Sequence, residues 1–160
     1  MSQDATFEDG AEKPLRLMAR DADDLQIIAT LTQDAVFPIT EIRWQAAQRR
    51  FALLVNRFRW EDRDAAAARG RDFERVQALL VFEDVLKVSS TGVDRSDSDM
   101  VYSVLDLKWE PAEDGMGRVV INLAGDADIA LEVETLEAQL KDVTRPYIAP
   151  SKAAPSHPED

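Results

Sequence analysis

The clearest pattern of hydrophobic and polar positions lies near the C-terminus, in residues 128–146. Three aliphatic residues there alternate with polar or small ones, which predicts a strand with one buried face: Ile129, Leu131 and Val133. The next three are spaced by three or four residues, as on one face of a helix: Leu136, Leu140 and Val143. With Thr135 as the cap and Pro146 as the stop, the pattern predicts a last strand that runs directly into a last helix.

The rest of the chain predicts one more helix and a series of strands. A short strand follows Pro14, and a helix over residues 22–34 begins after Asp21, a good N-cap. From residue 39 onward, seven segments predict strands: 39–45, 49–60, 73–82, 85–90, 100–110, 118–124 and 128–134. Residues 61–72 are charged and alanine-rich without an apolar stripe, so we expect a loop there rather than helical turns. The short connections favour an antiparallel sheet.

Seven strands followed by an amphipathic helix predict an α+β fold, in which the sheet must bury one face and protect its edges. The element order resembles the pleckstrin-homology-like architecture, which implies a barrel capped by the C-terminal helix, here with a strand and a helix added at the N-terminus. An open antiparallel sheet backed by two helices fits the same pattern. The sequence does not decide between the two.

Three blocks of the sequence carry a further resemblance: RRFALLVNRFRWE at 49–61, FEDVLKVSSTGVDR at 82–95 and LEVETLEAQLKDV at 131–143. They resemble the recurring blocks of a family of short, conserved bacterial proteins that form a domain of unknown function. The resemblance covers most of residues 15–146. It implies no activity, so no catalytic or binding residue follows from it.

Composition narrows the class of protein. The formal charge of −12 argues against attraction of the whole molecule to nucleic acid or to an anionic membrane. The chain has no cysteine and no apolar run near the roughly 20 residues of a membrane helix. We expect a cytoplasmic protein with one domain at 14–146, an acidic disordered tail at 1–13 and a disordered tail rich in Pro, Ser and Ala at 147–160.

Positive charge is concentrated in one part of this acidic chain. The window from residue 43 to residue 75 holds nine arginines and five acidic residues, a local charge of +4, which leaves −16 for the rest. The nine are Arg43, Arg49, Arg50, Arg57, Arg59, Arg63, Arg69, Arg71 and Arg75. Arginine forms bidentate hydrogen bonds with carboxylates and phosphates.

The arginine-rich hairpin and loop are the candidate binding surface. We predict its binding residues to be Arg43, Arg49, Arg50, Arg57, Arg59 and Trp60. Alternation with Phe58 and Trp60 places Arg57 and Arg59 on a solvent-facing side. The sequence therefore favours a non-enzymatic binding or scaffold module for a protein or other anionic partner, and free sheet edges also permit a homodimer. The competing interpretation is that these arginines pair with the protein's own acids.

No motif of catalysis, metal binding or cofactor binding stands out. Three aspartates cluster in the segment DRSDSD, namely Asp94, Asp97 and Asp99, but an EF-hand register starting at Asp94 fails at its sixth and twelfth positions. The only histidine, His157, lies in the predicted C-terminal tail. The alternative function is a small enzyme or metabolite-binding protein with a carboxylate site. Its candidate residues are Asp106, Glu132 and Tyr102, although no spacing selects them.

Overall fold

A computed structural model describes residues 14–148 and residue 155. The predicted acidic tail 1–13 and His157 lie outside the described residues. In the other predicted tail, 147–160, Tyr147 and Ile148 form a short strand, so ordered structure continues past Pro146.

The predicted α+β class is confirmed. The described residues form two α-helices, α1 at Ala22–Thr32 and α2 at Arg63–Ala68. The described chain also forms eleven strands: β1 Arg16–Ala19, β2 Val36–Pro38, β3 Ile42–Gln45, β4 Arg50–Phe58, β5 Glu74–Phe82, β6 Val85–Thr91, β7 Val101–Pro111, β8 Gly117–Leu123, β9 Ala127–Val133, β10 Ala138–Asp142 and β11 Tyr147–Ile148.

The strands form one antiparallel sheet that is not closed. Its order is β1-β10-β5-β4-β2-β7-β8-β9-β6, with β3 beside β4 and β11 beside β5. Since β1 and β6 end this path without pairing with each other, the closed barrel of the pleckstrin-homology-like prediction is not confirmed. The open antiparallel sheet, our alternative, describes the fold better.

Helix α1 follows the sequence prediction closely. Asp21 accepts a hydrogen bond from the amide of Asp24 at 2.8 Å, which caps the first turn. One face of the helix is buried in the core: Leu25, Ile28, Ala29 and Thr32. The helix ends at Thr32, two residues earlier than predicted, and the chain reverses through Asp34 with a φ of 63°.

The predicted C-terminal helix is wrong, because residues 138–142 form β10. This strand pairs with β5 on one side and β1 on the other. Its burial alternates, with Ala138, Leu140 and Asp142 buried, while Val143 from the predicted helical stripe is 44% exposed. A separation of four residues, as between Leu136 and Leu140, fits a strand as well as a helix.

The predicted loop at 61–72 is also wrong in part. Trp60–Asp62 form a 3-10 turn that leads into α2. Four consecutive alanines favour a helix by propensity, and Ala66 is fully buried although the segment has no apolar stripe. Residues 39–41, predicted as the start of a strand, form another 3-10 turn, and β3 begins at Ile42.

A sharp bend joins the two halves of the sheet. The neighbouring strands β5 and β10 continue into β6 and β9, which again pair with each other. At the bend Asp84 has a φ of 56°, and its carbonyl accepts a hydrogen bond from the amide of Glu134 at 3.0 Å. Buried residues from both halves and from α1 form one hydrophobic core. The arginine-rich segment lies where β4, α2 and the start of β5 come together.

Candidate functional site

Arg57 lies on β4 and is completely buried. Its Nε and Nη2 donate to the two carboxylate oxygens of Asp142, each at 3.0 Å. Its Nη1 and Nη2 donate to the two oxygens of Glu61, each at 2.8 Å. Nη1 also donates to the carbonyl of Phe58 at 3.3 Å. All five N–H groups of the guanidinium therefore have an acceptor.

Asp142 links this arginine to the edge of the sheet. Its Oδ2 also accepts a hydrogen bond from the amide of Leu15 at 2.9 Å, and its own amide donates to the carbonyl of Leu15 at 2.9 Å. Side chain and backbone of one aspartate thus hold the start of β1, the end of β10 and Arg57 together. We infer that this aspartate has a structural role.

Contacts between Arg57 and its carboxylate partners outweigh the effect of burial on the pKa values of Arg57 and Glu61. Burial is the largest influence on the pKa of Arg57 and acts to lower it, but hydrogen bonds and charge from Glu61 and Asp142 outweigh burial and raise the pKa. Burial likewise acts to raise the pKa of Glu61, whereas the hydrogen bonds and charge of Arg57 lower it overall. Both side chains are therefore charged at neutral pH.

A second set of ion pairs continues the network. Arg59, which is 4% exposed, donates to Glu74 at 2.6 Å and lies 3.6 Å from the carboxylate of Asp62. Arg71 donates to both oxygens of Asp62, at 3.1 and 3.2 Å. We call these residues and the Arg57 group the buried ion cluster: Arg57, Arg59, Glu61, Asp62, Arg71, Glu74 and Asp142. Three arginines meet four carboxylates within the cluster, so it carries no excess positive charge.

The prediction that Arg57 and Arg59 lie on a solvent-facing side is wrong. Buried residues occupy alternate positions of β4 at Phe51, Leu53 and Val55, and Arg57 continues that buried row. This period of two is the sequence signal that could have placed Arg57 inside, in the row of Phe51, Leu53 and Val55. No comparable pattern in the sequence predicts that Asp142 pairs with Arg57 or that Asp62 lies beside Arg59.

Trp60 also has an internal role. Its ring packs edge-on against Phe58 with centroids 4.7 Å apart, and its Nε1 donates to the carbonyl of Gln33 at 3.0 Å. The guanidinium of Arg63 lies 5.5 Å from the centroid of the Trp60 ring. The side chain therefore joins the 3-10 turn after β4 to the loop after α1.

The other three predicted binding residues lie nearer the surface and also have partners. Arg43 donates to the carbonyl of Thr40. Arg49 pairs with Glu134, and Arg50 donates to both oxygens of Glu83 at 3.1 Å. These contacts agree with the competing interpretation of internal pairing. Their side chains are nonetheless 59%, 42% and 45% exposed, so they remain accessible to a partner.

Strand register reveals a basic surface that the sequence analysis missed. The outer face of β1, β10, β5, β4 and β3 carries two rows of directly paired residues, which therefore point to the same side. One row is Met18, Gln139, Val81, Ala52 and Arg43, and the other is Arg16, Lys141, Leu79 and Leu54. We call these nine residues and Arg50 the basic face. Its cations come from distant parts of the chain, namely Arg16, Arg43, Arg50 and Lys141, so no local window revealed it.

The middle and the rim of the basic face differ in character. Four half-exposed aliphatic side chains form the middle: Ala52, Leu54, Leu79 and Val81. At one rim the exposed cations Arg16 and Lys141 lie opposite each other on neighbouring strands, and neither forms an ion pair with a described residue. Arg43 and Arg50 lie at the other rim. The face combines apolar surface with cations in a chain of charge −12.

The residues of the alternative carboxylate site do not converge. Tyr102 packs in the core against Phe37, and its hydroxyl accepts a hydrogen bond from the amide of Asp94 at 2.9 Å. Asp106 pairs with Asn122 on β8. Glu132 on β9 pairs with Arg118, which lies four residues before Asn122 on β8. The arrangement brings no two of the candidates together as an acid and a base.

Two surface pockets are open to solvent. One of about 260 Å³ lies between β3 and the loop after β6, and its lining includes Trp44, Ile42 and Arg95. Another, of about 330 Å³, lies at the turn between β7 and β8 and includes Glu110, Arg118 and Glu132. Ligand sites usually occupy about 300–1,000 Å³ and enclose most of the ligand. Neither pocket joins a set of convergent catalytic groups.

The aspartate-rich loop forms local turns. Oδ1 of Asp94 accepts hydrogen bonds from the amide and the hydroxyl of Ser96, which lowers the pKa of this exposed carboxyl. Asp97 accepts from the amide of Asp99 at 3.0 Å. Among the described residues, no group of three or more acidic, histidine or cysteine side chains is placed to hold a metal ion.

Comparison with known proteins gives a family but no activity. In the described part of the chain, neither helix is long and apolar enough to cross a membrane. No curated protein and no solved structure matches the chain. Residues 15–157 match the family model described as protein of unknown function (DUF2948). The match covers most of the chain, and the protein therefore belongs to the DUF2948 family, whose function is unknown.

Proposed function

We propose that this protein is a non-enzymatic binding module whose basic face holds an acidic segment of a protein partner. The observation that carries the proposal is the direct opposition of Arg16 and Lys141 on β1 and β10. Like charges at paired positions destabilise a sheet. An anionic partner would convert this unfavourable contact into a favourable one, and local conflicts of this kind are expected at functional sites.

The centre of the basic face supports an extended polypeptide as the partner. One row of side chains runs across five strands and the other across four, with aliphatic residues in the middle of the face and cations at both rims. An extended segment with aliphatic residues in its middle and acidic residues at both ends would place its aliphatic side chains on Leu54 and Leu79. Its carboxylates would then reach Arg16 and Lys141 on one side and Arg43 on the other.

Two other classes of anionic partner fit less well. Nucleic acid and anionic membranes carry extended negative charge, and a chain of charge −12 repels both outside the local basic face. A short acidic segment avoids that repulsion because it contacts the basic face alone. Arg57 and Arg59 are not part of this surface, since the buried ion cluster occupies them.

The proposal is tested with a defined probe. The probe is a nine-residue synthetic peptide with three leucines in the middle and three glutamates at each end, and its affinity for the full chain is measured by fluorescence anisotropy. The double variant Arg16→Glu/Lys141→Glu reverses both cations of one rim. We expect the affinity to fall at least about tenfold, which is roughly 1.4 kcal/mol. A peptide with lysine in place of each glutamate should not lose affinity in this variant, because its charges do not pair with Arg16 or Lys141.

A matched control separates the basic face from net charge. The double variant Lys87→Glu/Lys108→Glu makes the same change of charge at exposed positions on β6 and β7, outside the basic face. It should keep the affinity within about twofold, because distant exposed charges are screened by salt. Equal losses in both double variants, or no binding by the wild type, would overturn the proposal.

A further inference from the structure

Strand β6 is one end of the sheet and has an unpaired edge. It pairs with β9 from Val85 to Thr91, and no described strand pairs with its other side. On that side, the amide of Val85 donates a hydrogen bond to the carbonyl of Arg49 at 2.8 Å. Beyond Val85, the edge of residues 86–91 is free among the described residues to accept another strand.

This edge has little of the protection that natural edge strands carry. Such strands are usually short, charged, interrupted by proline or covered by another element. β6 has seven residues, no proline and a single charge, Lys87. Its one irregularity is a bulge between Val85 and Lys87, so the register from Lys87 to Thr91 is regular. Leu86 is 46% exposed.

We propose that β6 pairs, antiparallel, with β6 of a second copy of this chain across a two-fold axis at Val88. A two-fold axis perpendicular to the sheet keeps the cores of both copies on the same side. Such an axis must pass through the midpoint of a pair formed by one residue and its own copy. With the axis at Val88, residues 86–90 of the two copies pair with each other, and all of them belong to the free edge.

The side chains favour this register. With the axis at Val88, the two copies of Val88 face each other, and β-branched pairs stabilise a ladder. Lys87 of each copy faces Ser89 of the other. An axis at Lys87 would oppose two lysines, and an axis at Ser89 would leave Leu86 facing the end of the strand.

Charge favours this edge as the contact between copies. Two chains of charge −12 repel at long range, so a contact between them requires a segment with little negative charge. β6 contains no acidic residue. A single added strand buries a small interface, so we expect a weak dimer that forms at high protein concentration. The edge is separate from the basic face, so this proposal is independent of the proposed function.

The test replaces the exposed residue Ser89 with a negatively charged residue in one variant and a positively charged residue in another. Ser89→Glu places a carboxylate opposite Lys87 of the second copy, twice per dimer, and should tighten the dimer about two- to thirtyfold. Ser89→Lys places two lysine pairs in opposition and should weaken it by a similar factor. Ser89→Gln is the neutral control. Sedimentation equilibrium of the full chain at several concentrations gives the dissociation constants, and circular dichroism confirms that each variant is folded.

Net charge alone predicts the reverse order, which makes the comparison decisive. Ser89→Glu raises the repulsion between copies, and Ser89→Lys lowers it. A tighter dimer with Ser89→Lys would therefore show that overall charge governs association and would overturn the proposal. Weaker dimers with both charges would place the axis at Ser89 and overturn the register at Val88. A monomeric wild type at every concentration would overturn the dimer itself.

Discussion

Arg57 on β4 and Asp142 on β10 form a buried bidentate ion pair although 85 residues separate them in the chain. Strand β5 lies between β4 and β10, so the ion pair crosses the width of β5. Asp142 also binds the backbone of Leu15, and Arg57 also binds Glu61. One pair of side chains therefore fixes the first strand, the last long strand and the turn after β4 relative to one another.

We expect Arg57→Met to destabilise the protein by about 3–5 kcal/mol, because it leaves the buried carboxylate of Asp142 without its cation. Methionine has a similar length and adds no charge, so the loss reports the ion pair more than the packing. Urea unfolding followed by circular dichroism measures the free energy of unfolding. Arg43→Met, at a side chain that is 59% exposed, is the control and should change stability by less than about 0.5 kcal/mol.

A double variant shows whether the pair acts as a unit. Arg57→Met/Asp142→Leu removes both charges, and we expect it to cost less than the sum of the single changes by about 0.5–3 kcal/mol. Recovery should be incomplete, because the amide of Leu15 loses its acceptor on Asp142. Additive costs, or a cost below about 1 kcal/mol for Arg57→Met alone, would contradict the role assigned to this pair.

Local patterns in the sequence predicted the elements that depend on neighbouring residues. The cap at Asp21 and helix α1 follow from side chains within four residues of each other. The strands β4 to β9 follow from alternation or from apolar runs. Strand β10 was not predicted, because the spacing of its apolar residues fits both a helix and a strand. Asp142 decides between the two, but a charged residue suggests a solvent-exposed position unless its contact with the buried Arg57 is known.

The candidate site could be predicted from the sequence only in part. The sequence correctly indicated that arginines are concentrated between residues 43 and 75, but not which of them reach solvent. Burial of Arg57 and Arg59 depends on carboxylates from the 3-10 turn Trp60–Asp62, from β5 and from β10. The basic face depends on strand order, which places Arg16 beside Lys141 across 125 residues of sequence. Strand order is a property of the whole fold, and no window of sequence contains it.

Glu61 makes the free energy of unfolding depend on pH in the acidic range. Arg57 lowers its pKa in the folded protein below the ordinary value of 4.5, so the unfolded chain binds the proton more readily. Its contribution to stability is full above the ordinary value and is lost as the pH falls through the lowered pKa. We therefore expect Glu61→Gln to be less stable than the wild type near neutral pH and to lose less stability on acidification. Urea unfolding between about pH 6 and pH 3 measures this difference, and parallel pH profiles would contradict it.

A pair of alanine variants separates strand β10 from the helix that the sequence predicted. Leu140 and Val143 both belong to the predicted helical stripe, which would bury both. In the sheet, Leu140 is fully buried between β1 and β5, whereas Val143 is 44% exposed. Leu140→Ala should therefore cost about 2–5 kcal/mol through the lost contacts and the cavity.

Val143→Ala should change the free energy of unfolding by less than about 0.5 kcal/mol, because an exposed methyl pair contributes little packing. Both variants are measured by urea unfolding under the same conditions, and an unchanged slope with denaturant shows that the same surface unfolds. Similar large losses for both would favour the helix and remove Asp142 from its position beside Arg57. A loss confined to Leu140 agrees with the strand, because only a period of two buries Leu140 and Asp142 together and leaves Val143 in solvent.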